Sequence, residues 1–188
     1  MLENDTKRDM QQIIDRIITD HILYSCSLKT LKMWKKNSTQ VSPEEIKNME
    51  LRKKVLKYIR NKQTDVAFGI LCEENVFEMS NQEDKKLFTK LSKLTFVDFV
   101  GKDKIECAIL FAKQHLDKKK EFEKLYALIG YDRDVLNEEE FKKNCKDIDR
   151  ECVIKELNSF LFSKLTGRKC SLLHSAVDYH KTLINVTK

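Results

Sequence analysis

Residues 85–116 restrict the folds open to this chain more than any other stretch. Leu87, Leu91 and Leu94 recur at intervals of four and three, with Val97 three residues further on. After Gly101 the stripe resumes as Ile105, Ala108/Ile109, Ala112 and Leu116. That is the period of a helix with one buried face, and strict two-residue alternation never lasts long enough to suggest a strand. The preceding stretch, Arg52–Cys72, repeats the arrangement, so Ser42–Leu116 reads as two consecutive helical hairpins. Their joins, Asn61–Thr64 and Gly101–Asp103, are short and polar, which suits antiparallel neighbours. Only one Pro and four Gly punctuate 188 residues, and so few breakers favour a nearly all-helical protein.

Along the chain, a first helix is expected from about Thr6 to Tyr24, with Ile14, Ile17, Ile18 and Ile22 (plus Ile13) on its apolar side. A shorter one, Leu28–Lys36, shows Leu28, Leu31 and Trp34. This hairpin is too small to bury its own stripe, since units below about 40 residues usually need outside help. A partner copy or the C-terminal part of the chain must cover it. Ser42-Pro43-Glu44-Glu45 is a capping-box start, with Pro43 in the first turn where no donor is needed. Leu51, Val55, Leu56 and Ile59 then face inward, followed from Thr64 or Asp65 by Val66, Ala67, Ile70 and Leu71. Ser80-Asn81-Gln82-Glu83 is a second S-x-x-E start, and Phe77, Phe88, Phe96 and Phe99 read as core. A helix at 121–129 stops at Gly130, and 131–146 is undecided, with Asn137 as a possible cap. Helices from Asp147 to Gly167 (Val153, Leu157, Phe160, Leu161, Leu165) and from Ser171 to Asn185 (Leu172/Leu173, Ala176/Val177, His180, Leu183/Ile184) complete the chain. The expected fold is all-α, a bundle or solenoid-like array of about nine helices.

The net charge of +6 comes from 36 basic and 30 acidic residues with interleaved signs, which describes a solvated surface better than a nucleic-acid or membrane patch. A basic all-helical nucleic-acid-binding module is the alternative, and it would show steeply salt-dependent binding. The longest apolar run, Val66–Cys72, is far short of the roughly 20 residues that span a bilayer. The N-terminus lacks the apolar core of a signal peptide. Six cysteines with no C-x-x-C pair read as reduced, mostly buried thiols of an intracellular protein, with Cys107 on the inner stripe of its helix. Cys170, His174 and Asp178 are the sharpest enzymatic candidate, either as a thiolate–imidazole–carboxylate relay or as metal ligands. Three residues stacked along one helix rarely converge on a reacting atom, however. No catalytic residue, metal ligand or cofactor is assigned.

The order of parts resembles the LisH–CTLH–CRA proteins of the GID/CTLH ubiquitin ligase. Residues 14–38, IDRIITDHILYSCSLKTLKMWKKNS, are similar to a LisH motif, with Ile14, Ile17, Ile18, Ile22, Leu31 and Trp34 at its apolar positions. ELRKKVLKYIRNKQTDVAFGIL and KLFTKLSKLTFVDFVGKDKIECAILFAKQHL are similar to the two hairpins of a CTLH motif. FEKLYALIGYD (122–132) and the helices over 147–185 look like a CRA region. The implied organisation is a LisH-like dimerisation hairpin at 10–38, a CTLH-like module at 43–117 and a CRA-like region at 118–186. Cys26 departs from the small glycine expected at the LisH turn, and Ser27 from the aromatic beside it.

The resemblance implies a non-catalytic scaffold, cytoplasmic and nuclear, in a homo- or hetero-oligomer, with no nucleic acid and no membrane partner. Its LisH hairpin would pair with a RanBPM-like subunit, supported by CRA residues Leu157, Leu161, Leu172, Ala176 and Leu183. The CTLH and early CRA segments would recruit RING-type ligase subunits and an armadillo-repeat subunit. A SPRY domain and a C-terminal RING array, which mark other members, are not expected.

Overall fold

The structure, a computed structural model, describes residues 2–34, 41–116 and 149–186. Among them are eight helices and no strand: α1 (Leu2–Tyr24), α2 (Leu28–Trp34), α3 (Pro43–Arg60), α4 (Thr64–Glu73), α5 (Gln82–Gly101), α6 (Ile105–His115), α7 (Arg150–Thr166) and α8 (Leu172–Val186). The all-α expectation holds. The expected helix at 121–129, the stop at Gly130, the stretch FEKLYALIGYD and the segment 131–146 lie outside the described residues. The side chain of Leu183 does too. The chain forms two compact units, Met1–Lys53 with Ser159–Lys188, and Lys54–Asn158.

Local chemistry explains where the helices start. At α3 the Glu45 amide donates to Ser42 Oγ (3.1 Å) and the Ser42 amide donates to Glu45 Oε2 (3.0 Å), so the capping box closes as expected. At α5 the cap is Asn81 rather than Ser80. Its extended backbone lets Oδ1 accept from the Glu83 amide at 2.8 Å. The buried Asp84 carboxylate then accepts from the Glu78 amide at 2.8 Å, tying down the loop before the helix.

Helix ends explain the scarcity of glycine. Cys26, Lys62, Asn75 and Asp103 all have positive φ, between 50° and 63°. Each donates its amide to the carbonyl three residues back, and the next residue donates five back. Asp103 to Val100 (3.1 Å) and Lys104 to Phe99 (3.0 Å) are one such pair. This is the Schellman ending, usually built on glycine. Here non-glycine residues take the left-handed position four times, while Gly101 lies inside α5.

In the Lys54–Asn158 unit, α5 packs against α4 and α6. Phe96, Val97, Val100, Ala108, Ala112 and Leu116 form one buried cluster, flanked by Phe99 and Ile105. Leu87, Leu91 and Leu94 are buried too, so the stripe over 87–116 is a core stripe as expected. Phe68 of α4 meets Phe88 and Phe111 at ring distances of 5.1 and 5.0 Å. Burial against these rings pushes the pKa of His115 below its ordinary value.

Three expectations fail. Val66 is exposed, because Thr64, Ala67, Phe68 and Leu71 form the inner face of α4 and position 66 points the other way. Cys107 is exposed for the same reason, opposite Ile105, Ala108 and Ala112. Nor are the thiols mostly buried: Cys72, Cys107 and Cys152 are exposed, Cys170 is half-buried and only Cys26 is buried among those described.

A polar knot secures the same unit. Arg150 of α7 pairs with the Asp98 carboxylate and donates to the Ile59 carbonyl at 2.8 Å, while Thr64 Oγ1 also donates to Asp98. One side chain thus satisfies an α3 carbonyl at the turn and a buried α5 carboxylate at once.

A candidate protein-interaction surface

In the unit Met1–Lys53 with Ser159–Lys188, the inner end of the first hairpin is closed by its own chain. Ile22, Leu23, Cys26, Leu31, Val41 and Met49 form a buried cluster, with Ile18, Leu28, Trp34 and Ile46 partly buried against it. Trp34 Nε1 donates to Thr19 Oγ1 at 3.0 Å. The start of α3 therefore covers Ile22 and Leu31. Ile17, Ile18 and Trp34 are half-covered.

The turn between α1 and α2 is held from α3. Arg52 is almost completely buried and donates from its two terminal guanidinium nitrogens, Nη1 to the Tyr24 carbonyl and Nη2 to the Leu23 carbonyl. Its guanidinium carbon lies 5.0 Å from the centre of the Phe162 ring. Burial pushes the Arg52 pKa down, opposed by nearby Cys26 and Tyr24. Cys26 occupies the left-handed position (φ 56°) where the resemblance expects glycine. Cys26→Gly should remain within about 1 kcal/mol of the parent, because relief of the left-handed backbone offsets glycine's greater freedom when unfolded. Cys26→Ala keeps the backbone penalty and loses the buried sulfur, so it should be less stable than Cys26→Gly by about 1 kcal/mol. Urea denaturation of both variants checks the order.

The last helix docks through its N-terminal end. Asp20 of α1 is buried, pairs with Arg168 and accepts the Leu172 amide at 2.6 Å, placing a carboxylate at the start of α8. Ser171 caps the same turn by accepting from the His174 amide at 3.3 Å. The His174 ring rests on Tyr24 (5.0 Å) and His21 (5.6 Å). Arg168 also lies 3.7 Å from Glu45. Beside this latch is an open depression of about 680 Å³ lined mainly by polar and charged side chains, among them Asp15, Arg16, Asp20, Glu45 and Arg168.

Beyond the latch several apolar side chains are exposed. On α1, Met10 and Ile13 are 60% and 61% exposed, and Ile14 is also open. On α8, Leu173, Ala176, Val177 and Tyr179 are exposed, and Leu172 is half-buried. The two helices pack against each other, so their open residues occupy one helix pair. Of the other expected supporting residues, Leu161 is buried in this unit and Leu157 in the Lys54–Asn158 unit.

Cys170, His174 and Asp178 do not converge. Cys170 Sγ sits 3.1 Å from Ser175 Oγ, His174 Nδ1 lies 2.7 Å from Ser171 Oγ, and Asp178 lies 3.7 Å from Lys181. Among the described residues no group of three or more potential ligands is placed to hold a metal ion, and no helix is long and apolar enough to cross a membrane. Sequence reasoning missed Asp20, Arg52 and Arg168. For Asp20 and Arg52 a signal existed: each is a charge in register with an apolar stripe, Ile13–Ile17–Asp20–Tyr24 and Met49–Arg52–Val55–Ile59.

Amphipathic helical hairpins with exposed apolar side chains on one helix pair define an all-helical protein-interaction module. The family model described as the CTLH/CRA C-terminal to LisH motif domain matches residues 48–185. The chain belongs to the CTLH family. Neither the curated proteins nor the solved structures gave a significant match.

Proposed function

We propose that this protein is a non-catalytic scaffold subunit of a GID/CTLH-type ubiquitin ligase, acting in cytoplasm and nucleus. It pairs through α1, α2 and α8 with a RanBPM-like sister. Its CTLH/CRA part engages RING-type subunits and an armadillo-repeat subunit. The observation that carries this reading is the exposed strip Met10, Ile13, Ile14, Leu173 and Val177 on two packed helices, in a member of an interaction-module family. Exposed apolar side chains gathered on one helix pair mark association sites, and the central side chains of such sites hold most of the binding energy.

The combined variant Ile14→Asp/Val177→Asp tests it. Both positions are open to solvent, so the chain should keep its helical content and melting temperature. Pull-down of a RanBPM-like subunit and the size of the assembly by light scattering should both collapse, with affinity falling by at least about 100-fold, or about 2.7 kcal/mol. Undiminished assembly would overturn the LisH-like pairing.

A further inference from the structure

The stretch LRKKVLKYIRNKQT (51–64) breaks the interleaving of signs: it carries six cations and no carboxylate. Within the Lys54–Asn158 unit, Lys54, Lys57 and Arg60 are exposed at spacings of three, on one face of α3 opposite buried Val55, Leu56 and Ile59. Exposed Lys62 follows in the turn, on the left-handed backbone that ends the helix. Their side chains make no ion pair or hydrogen bond to the described residues, although the same unit pairs other surface lysines, as in Lys90–Glu156 at 2.7 Å and Lys102–Asp65 at 3.8 Å. A helix dipole welcomes cations in the last turn, but like charges three apart repel each other. Among the described residues, therefore, these charges have no counter-charge.

We infer that this face docks an acidic segment of a protein partner, with Asp or Glu repeating at three- and four-residue spacing. Lys54 to Arg60 spans about 9 Å along the axis at 1.5 Å per residue, which matches carboxylates on two turns of an acidic helix. Single-stranded nucleic acid would need exposed rings for stacking, and Tyr58, the one aromatic residue of 51–64, is half-buried. An anionic membrane would need apolar side chains beside the cations to insert, and those of this turn face the core. The inference rests on the chain being a protein-interaction module and is independent of the α1–α8 strip.

The test titrates the full chain, at low and at high salt, into a labelled helical peptide with Glu at positions i, i+3, i+4 and i+7. A Lys-substituted peptide, a single-stranded oligonucleotide and phosphatidylserine vesicles serve as competing probes. The acidic peptide should bind at low salt. Lys54→Gln/Lys57→Gln/Arg60→Gln should weaken it by at least about tenfold, and so should high salt. Glutamine keeps helix propensity at exposed sites, so the triple variant should retain its circular dichroism and its assembly with the RanBPM-like subunit. Ile14→Asp/Val177→Asp should bind the peptide normally. The proposal is overturned by absent peptide binding, by equal binding to the triple variant, by loss of binding in the strip variant, or by tighter capture of oligonucleotide or vesicles.

Discussion

Asp98→Ala should lower the stability of the Lys54–Asn158 unit by about 3–5 kcal/mol, the range for removing one partner of a buried charge pair. The carboxylate is nearly inaccessible, and it receives both Arg150 and the buried Thr64 hydroxyl. Without it, the Arg150 guanidinium keeps only the Ile59 carbonyl and a 3.3 Å contact to Thr64. The charge then has too few acceptors in a partly desolvated place. Urea denaturation followed by circular dichroism measures the loss. Adding Arg150→Met to Asp98→Ala removes the stranded charge and should restore about 1–2 kcal/mol of it. If the double variant is no better than the single, the knot is not the source of the stability.

Arg52→Leu is the second large effect, at about 3 kcal/mol. Leucine restores apolar volume against Phe162 but takes two charged donors from the end of α1, leaving the Leu23 carbonyl with the Cys26 amide and the Tyr24 carbonyl with the weak Cys26 thiol. Each hydrogen bond lost from a charged donor costs about 1.5–3 kcal/mol, partly offset because a buried charge is also removed. Arg52→Lys discriminates the mechanism. A single ammonium cannot fork to two carbonyls while lying flat on a ring, so lysine should recover less than half of the loss. Full recovery with lysine would mean that charge alone matters at this site. Either result is read as a shift in the urea midpoint.

Much of the architecture was legible in one dimension because helical spacing is a local property. Leu87, Leu91, Leu94 and Val97 sit where their period puts them, and Ser42 with Glu45 closes a cap built from four adjacent residues. The errors arose where a stripe has two plausible edges. Val66 and Cys107 border apolar neighbours in sequence, but which side of the helix meets α5 depends on a partner far along the chain. The α5 cap is Asn81 rather than Ser80, one residue along, and Asp84 holds the preceding loop. The candidate surface was half visible: the isoleucines of α1 announced an apolar face, but not which of them the start of α3 would cover.

Apolar period, caps and the near absence of glycine and proline were enough to dictate a helical chain, since each acts within a turn or two of backbone. The charges at Asp20, Arg52 and Asp98 stand in step with apolar stripes, a signal that went unread. Only the folded arrangement gave those charges their partners: Arg168 and the Leu172 amide, the carbonyls of Leu23 and Tyr24, and Arg150 with Thr64. It alone left Met10, Ile13, Ile14, Leu173 and Val177 open while burying Ile22 and Leu31. Those outcomes depend on contacts between residues distant in sequence, and no local pattern carries that information.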